Sequence, residues 1–214
     1  MSNELFEKAA DAICDADVER AEELAQIALD EGIAPLEMIE KGYTAGINEV
    51  GRLFDRGELF LPQLMGCAEA MKSATAILKE AAAEQGSESE ESIKVVLGTV
   101  QGDVHDIGKG IVASILEANG IEVHDLGTDV AVEDFIETAK EVDADIIGTS
   151  ALLTTTMGVS EELLKTLDEE DLRGEFKVMV GGGPVTKRWA DKIGADGYAE
   201  NANEAVSKIK ELVD

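Results

Sequence analysis

The chain has 214 residues, 44% of them hydrophobic, enough to bury a core in one large domain or two modest ones. A formal net charge of −28, from 46 acidic against 18 basic side chains, argues against a nucleic-acid partner, because phosphate backbones are repelled. No stretch approaches the ~18 uninterrupted apolar residues of a membrane span, and the opening MSNELFEKAADAIC is acidic rather than basic then apolar, so a soluble cytoplasmic protein with no membrane partner is expected.

From Ser2 to Gln85 the apolar residues recur at helical spacing without β-branched runs, which predicts an all-helical first part. A first helix is expected over about Asn3–Cys14. A second is opened by Asp17, whose carboxylate can cap free backbone N–H groups, and closed by Gly32. Pro35 fits the first turn of a third helix, along which Leu36, Ile39, Tyr43, Ile47, Val50 and Phe54 form one apolar stripe. Pro62 starts a fourth, with Leu64, Ala68, Met71, Thr75 and Leu78 on one face. Four helices with short loops and one apolar stripe each predict an antiparallel four-helix bundle. Cys14 and Cys67, far apart in helical segments, form neither a CxxC pair nor a disulfide framework and read as small buried side chains.

The stretch EQGSESEES, Glu84 to Ser92, is polar, acidic and without apolar anchors, so it reads as a linker between a helical domain over residues 1–88 and a second domain over 89–214. The pattern then changes. IKVVLGTV is a short β-branched run, followed by a glycine-rich turn and the helical IVASILEANG. The alternation returns in IEVHDLG with VEDFIETAKEV, in ADIIGTSAL with the helix through Leu163 and Leu167, in FKVMVGGG with a helix from about Lys187, and in GYA with NEAVSKIKELV. Strands alternating with helices predict a doubly wound parallel sheet of the flavodoxin-like or Rossmann-like kind, an α/β domain behind the helical bundle. Ligands of such sheets sit beyond the carboxyl ends of the strands, where the unusual turns Gly102–Gly110, Ser150–Thr156 and Gly181–Gly183 all fall.

The first of these turns, GDVHDIGKG, does not fit phosphate. Five residues separate Gly102 from Gly108 where a Walker loop has four, and Lys109 is followed by Gly110 rather than a magnesium-binding Ser or Thr. A metal ligand fits better. Asp103 lies two residues before His105, close enough to accept the proton of one ring nitrogen and make the other a better donor to a metal. His124 is the only other histidine and reads as structural, so no tetrahedral zinc set can be completed. Gly102, Gly108 and Gly110 clear space for something large, which favours a cofactor that brings most of its own ligands and takes one from the protein.

Asp103-x-His105-x-x-Gly108, then Ser150-x-Leu152, then Gly181-Gly182, resembles the three-part signature of the B12-binding domain shared by methionine synthase, the mutases and methanogen corrinoid proteins. The first half, through GRLFDRGELFLPQLMGCAEAMK, resembles the helical cap of the methyl-transferring members, so the likeness covers essentially the whole chain. SALLTTTM and WADKIGADGYAENANEAV lean toward the di- and trimethylamine corrinoid proteins or their glycine betaine relatives.

The resemblance implies one corrinoid per chain, with His105 as lower axial ligand to cobalt and Asp103 orienting it. Thr156 stands where methionine synthase has a serine completing a His-Asp-Ser relay. Asp106, Ile107, Gly108 and Leu152 belong to the cofactor-binding motifs, Ser150 and Thr154 would line the channel for the displaced nucleotide tail, and Gly181 and Gly182 would let that tail lie against the fourth strand. Phe54 and Leu61 in the cap would shield the upper face of the corrin. The implied function is a methyl carrier, not catalytic alone, whose partners are a methylamine:corrinoid methyltransferase, a methylcorrinoid methyltransferase acting on coenzyme M or tetrahydrofolate, and a reductive activation protein. The competing readings are a corrinoid sensor or storage module, for which no DNA-binding or output segment is visible, and a glycine betaine- or methanol-type corrinoid carrier.

Overall fold

The computed structural model describes residues 2–84 and 92–213. The body of the expected linker and the boundary at 88/89 lie outside the described residues. Chain packing divides into two compact units, Met1–Ser92 with Glu117–Asn119, and Ile93–Leu116 with Gly120–Asp214.

The helical unit holds α1 (Ser2–Cys14), α2 (Val18–Asp30), α3 (Pro35–Met38), a π-helical turn over Ile39–Tyr43, α4 (Thr44–Asp55) and α5 (Leu61–Glu84). Asp17 caps α2 by accepting the Arg20 N–H at 2.9 Å, and Gly32, with φ 74°, turns the chain out of it. Since α3, the π turn and α4 run on as one helical rod, four rods form the bundle, as the periodicity predicts. Gly46 lets α4 approach α1 closely: a Cβ there would stand 2.6 Å from the Ala10 carbonyl oxygen.

One feature of the expected third stripe is corrected. Leu36 is 41% exposed and Ile39 only half-buried, while Pro35, Met38, Tyr43, Ile47 and Val50 face the core. The π turn, closed by Thr44 N–H on the Ile39 carbonyl, inserts an extra residue between Met38 and Tyr43, so a stripe counted backward at α-helical spacing lands on the wrong side.

The second unit is a five-stranded parallel sheet in the order β2-β1-β3-β4-β5, with β1 (Lys94–Thr99), β2 (Glu122–Asp125), β3 (Ile146–Ser150), β4 (Lys177–Gly181) and β5 (Gly197–Tyr198). The helices between them are α6 (Ile107–Ala118), α7 (Val132–Val142), α8 (Gly158–Glu169), α9 (Lys187–Ile193) and α10 (Ala202–Val213). Val96, Ile147, Val178 and Val180 pack with Phe135, Leu163 and Leu167 on the α7–α8 face. A right-handed β1–α6–β2 crossover puts α6 on the other face, where Met179 and Leu212 of the C-terminal α10 approach Gly197. The strand order reverses at β1, so the connections that leave the paired strands β1 and β3 run to opposite faces, which makes their carboxyl ends a switch point. In register Thr99 lies beside Ser150 and Ser150 beside Gly181, which aligns the ends of the three strands that carry the motifs.

Candidate functional site

Beyond β1 the chain turns at Gly102, whose φ of 81° suits glycine, and then enters α6 through Asp103–Asp106. Asp103 is fully buried and His105 lies half exposed beside it. The His105 Nδ1 sits 2.6 Å from Asp103 Oδ1, and Asp103 Oδ2 accepts the Leu152 N–H at 2.8 Å, the Leu153 N–H at 3.1 Å and the Thr156 hydroxyl at 2.8 Å. The His105 N–H adds a fifth bond to Oδ1 at 3.2 Å. Burial pulls the Asp103 pKa upward, but these donors, the His105 ring foremost, outweigh it and hold the carboxyl well below the usual carboxylate range.

An ionised Asp103 accepts, so the ring proton is assigned to Nδ1, which leaves the lone pair on Nε2. Among the described residues nothing bonds Nε2. Thr99, buried at the end of β1, donates its hydroxyl to the His105 carbonyl at 2.9 Å and fixes the backbone beneath the ring. Around it Val104 (72% exposed), Ile107 (76%), Leu152 and Leu153 turn apolar side chains to solvent. Exposed apolar residues clustered at strand ends mark a face that binds something apolar. A Cβ added to Gly108 or Gly110 would meet nothing within 4 Å, so the space beside the turn is open. No group of three or more His, Cys, Asp or Glu side chains able to hold a metal ion exists among the described residues. A single exposed imidazole on an apolar, glycine-cleared face fits a planar macrocycle that brings its own equatorial ligands, and it does not fit a protein-built metal cage.

Asp103, His105 and Thr156 come together across the loops that follow β1 and β3. Asp106 and Gly108 are exposed on the same turn as His105, and Thr154 is exposed on the β3–α8 loop. Ser150, half-buried, ends β3. Gly181 ends β4, and Gly182 follows with φ 114°; a Cβ there would stand 1.9 Å from the Ala151 carbonyl oxygen, so only glycine fits between these loops. Phe54 on α4 and Leu61 at the start of α5 belong to the helical unit, each half-buried. There Phe60, at 72%, and Met65, at 47%, are the more exposed apolar residues, which the helical periodicity did not single out. His124 bonds Glu122 at 2.9 Å on the edge strand β2.

Three other contributors escaped the sequence reading. Leu153 acts through its backbone, for which no side-chain pattern exists. Lys109, rejected as a Walker lysine, is buried and ion-paired with Asp125 at the end of β2. Asp129 accepts the Gly102 N–H at 2.7 Å; the signal for it was an aspartate in a strand-to-helix turn, a residue type that takes left-handed backbone and hydrogen-bonds local amides.

A family model described as B12 binding domain matches residues 93–207, and a second B12 binding domain model matches residues 5–79. The chain is 53% identical to dimethylamine corrinoid protein 3 of Methanosarcina acetivorans over 98% of this chain and 97% of that one. Among solved structures it is similar to a cobalamin-binding protein of Desulfitobacterium hafniense (34% identity, TM-score 0.80, 98% of each chain). It is also similar to a chain of the methanol:cobalamin methyltransferase complex of Methanosarcina barkeri (32% identity, TM-score 0.77, 97% of this chain and 77% of that one). No helix among the described residues is long and apolar enough to cross a membrane. The buried carboxylate, the half-exposed imidazole it holds and the matched domains together place the chain in the family of B12-binding corrinoid proteins.

Proposed function

We propose that this chain is a methyl carrier that binds one corrinoid through His105, receives a methyl group from a methylated amine at a partner methyltransferase, and yields it at a second one. When bound, the corrinoid supplies a cobalt atom that can take a methyl group from a donor and give it to an acceptor. The observation that carries the reading is the Asp103–His105 pair, with its free Nε2 on an apolar face.

Asp103 fixes the ring as the Nδ1–H tautomer and strengthens Nε2 as a donor toward cobalt. The Thr156 hydroxyl has two acceptors in reach, Asp103 Oδ2 at 2.8 Å and the Leu153 carbonyl at 2.9 Å, but one proton. It can therefore follow a proton on the His105–Asp103 pair by turning from one acceptor to the other. Val104, Ile107, Leu152 and Leu153, exposed and apolar, would exclude water from beneath a bound corrinoid, with Asp106 and Gly108 on the same turn. Ser150, Thr154, Gly181 and Gly182 would hold the nucleotide tail of a bound corrinoid, and Phe54 and Leu61 would shield its methyl group. The acceptor-side partner would act on coenzyme M or tetrahydrofolate, and a reductive activation protein would be the electron donor that keeps the bound corrinoid active.

The similarity to a dimethylamine corrinoid protein and to a chain of a methyltransferase complex supports a transfer role over storage or sensing. The test is a panel of purified amine methyltransferases, each supplied with its own amine and this protein loaded with hydroxocobalamin and reduced. Methylation by one member of the panel is expected. Binding of the corrinoid without methylation by any member overturns the carrier reading. With the protein labelled with nitrogen-15 histidine, which tells the ring apart from the base of the cofactor's own tail, the cobalt(II) electron spin resonance signal should carry a nitrogen-15 doublet that His105→Ala removes, and a nitrogen-14 triplet in the labelled wild type would remove His105 as the ligand.

A further inference from the structure

The turn that follows β2 grips the His105 loop at both ends. On one side Asp129 Oδ1 accepts the Gly102 N–H at 2.7 Å, while the Asp129 N–H donates to the Asp103 carbonyl at 3.0 Å. On the other side Asp125 Oδ1 accepts the buried Lys109 ammonium from α6 and the Gly127 N–H at 2.8 Å. Between the two, the Thr99 N–H donates to the Gly127 carbonyl at 2.9 Å and the Val130 N–H to the Thr99 carbonyl at 3.0 Å. The segment Asp125–Asp129 is thus bonded to the strand end, to the loop and to the helix that together present the imidazole.

Asp129 is itself in left-handed backbone, with φ 56°, opposite Gly102 with φ 81°. Few side chains accept that conformation, and of those only Asp and Asn also offer a short acceptor oxygen. The residue type is accounted for by this bond and not by packing, since Asp129 is exposed. No part of the three-part signature includes it.

We propose that Asp129 is a positioning residue for cobalt coordination: by holding the Gly102 turn and the Asp103 carbonyl, it sets the place from which the Asp103 carboxylate aims the His105 ring. This rests on the reading of His105 as the ligand. The Asp103 carboxylate meets donors from two loops at once, and a turn free to shift loses the alignment on the His105 side, where Asp129 and Thr99 restrain the chain.

Two substitutions separate the acceptor from the backbone requirement. Asp129→Asn keeps both the acceptor oxygen and tolerance of positive φ; Asp129→Gly keeps the φ and removes the acceptor. Each is made in the full chain labelled with nitrogen-15 histidine, loaded with hydroxocobalamin and reduced to cobalt(II), with His105→Ala as control. The Asn variant should reproduce the wild-type nitrogen splitting. The Gly variant should fold and bind the corrinoid but show histidine coordination weakened by about tenfold, the lower end of outer-layer effects on metal ligands. In the cofactor-free proteins, nitrogen NMR should show His105 held as the Nδ1–H form in the wild type and the Asn variant, and averaged between tautomers in the Gly variant. Wild-type splitting and ring signals in the Gly variant overturn the proposal, as does an equal loss in both variants. If the labelled wild type shows only the nitrogen-14 splitting of the cofactor's own tail base, the ligand reading itself fails, while the cofactor-free ring signal still decides whether Asp129 positions the imidazole.

Discussion

Asp103 and Leu152 are bonded across the switch point of the sheet: the carboxylate after β1 accepts the backbone N–H after β3 at 2.8 Å, with Leu153 and Thr156 converging on the same oxygen. One oxygen thus faces three donors of the β3–α8 loop and the other faces His105. An amide has only one acceptor oxygen. In Asp103→Asn that oxygen is expected to stay with the three donors and turn the NH2 group toward His105 Nδ1, which forces the ring into the Nε2–H tautomer and removes the lone pair aimed at cobalt. Coordination should weaken on the order of ten- to a hundredfold. Nitrogen NMR of the cofactor-free variant should show the exchanged tautomer, and an unchanged tautomer would refute the exchange.

Two glycines near the site should behave oppositely. Gly182→Ala puts a Cβ 1.9 Å from the Ala151 carbonyl oxygen at a φ of 114°, so the fold should lose stability by at least the ~1–3 kcal/mol of a strained backbone position. Gly108→Leu meets no protein atom within 4 Å at its Cβ and should leave the denaturation midpoint nearly unchanged. It fills the space beside His105, however, and hydroxocobalamin affinity should fall by about tenfold or more, ~1.4 kcal/mol at least. Normal affinity in a normally folded G108L variant would mean that the corrin lies elsewhere.

Phe54→Ala combined with Leu61→Ala tests the shielding role. Both residues are half-buried, so truncation should cost the bundle a part of the ~2–5 kcal/mol typical of buried large-to-small changes. If they also cover the corrin, the protein loaded with methylcobalamin should photolyse faster while still folded. Destabilisation with an unaltered photolysis rate would leave them as bundle residues only.

Tyr43 gives the helical unit an alkaline limit. Its hydroxyl is buried and donates to the Ala21 carbonyl at 2.6 Å, and burial pushes the phenol well above its ordinary value. The neutral phenol belongs to the folded state, so the associated stability is complete below the unfolded value of about 10 and is lost as pH rises beyond it. Tyr43→Phe should lower stability at neutral pH by about 0.5–1.5 kcal/mol through the missing hydrogen bond, and should flatten the decline above a pH of about 10. Urea titrations of the full chain from neutral to alkaline pH check both.

The sheet was legible because β-branched runs alternate with amphipathic helices, and its parallel topology alone collects the strand ends on one side. That is why Asp103, Ser150 and Gly181 group together on strand order alone. His105 was legible from the aspartate two residues away and from the glycines around it. The rest depended on contacts distant in sequence. Asp129 reaches Gly102 across 27 residues and Lys109 reaches Asp125 across 16, and neither pair follows from local spacing. The π turn was hidden for a different reason: IEKGY contains no residue that demands it, and Leu36 and Ile39 continue an α-helical count that the backbone interrupts.

That π turn also governs how the chain's length can vary. Each residue of an α-helix advances about 100°, so removing one residue within α4 would rotate everything beyond it away from the core. A deletion at the exposed Glu40 has the opposite result: the π turn relaxes to an ordinary α turn, Met38 and Tyr43 become separated by four positions instead of five, and both buried stripes keep their facing. The segment Ile39–Tyr43 is therefore the place in the rod where a homologue one residue shorter can align without a gap in its core.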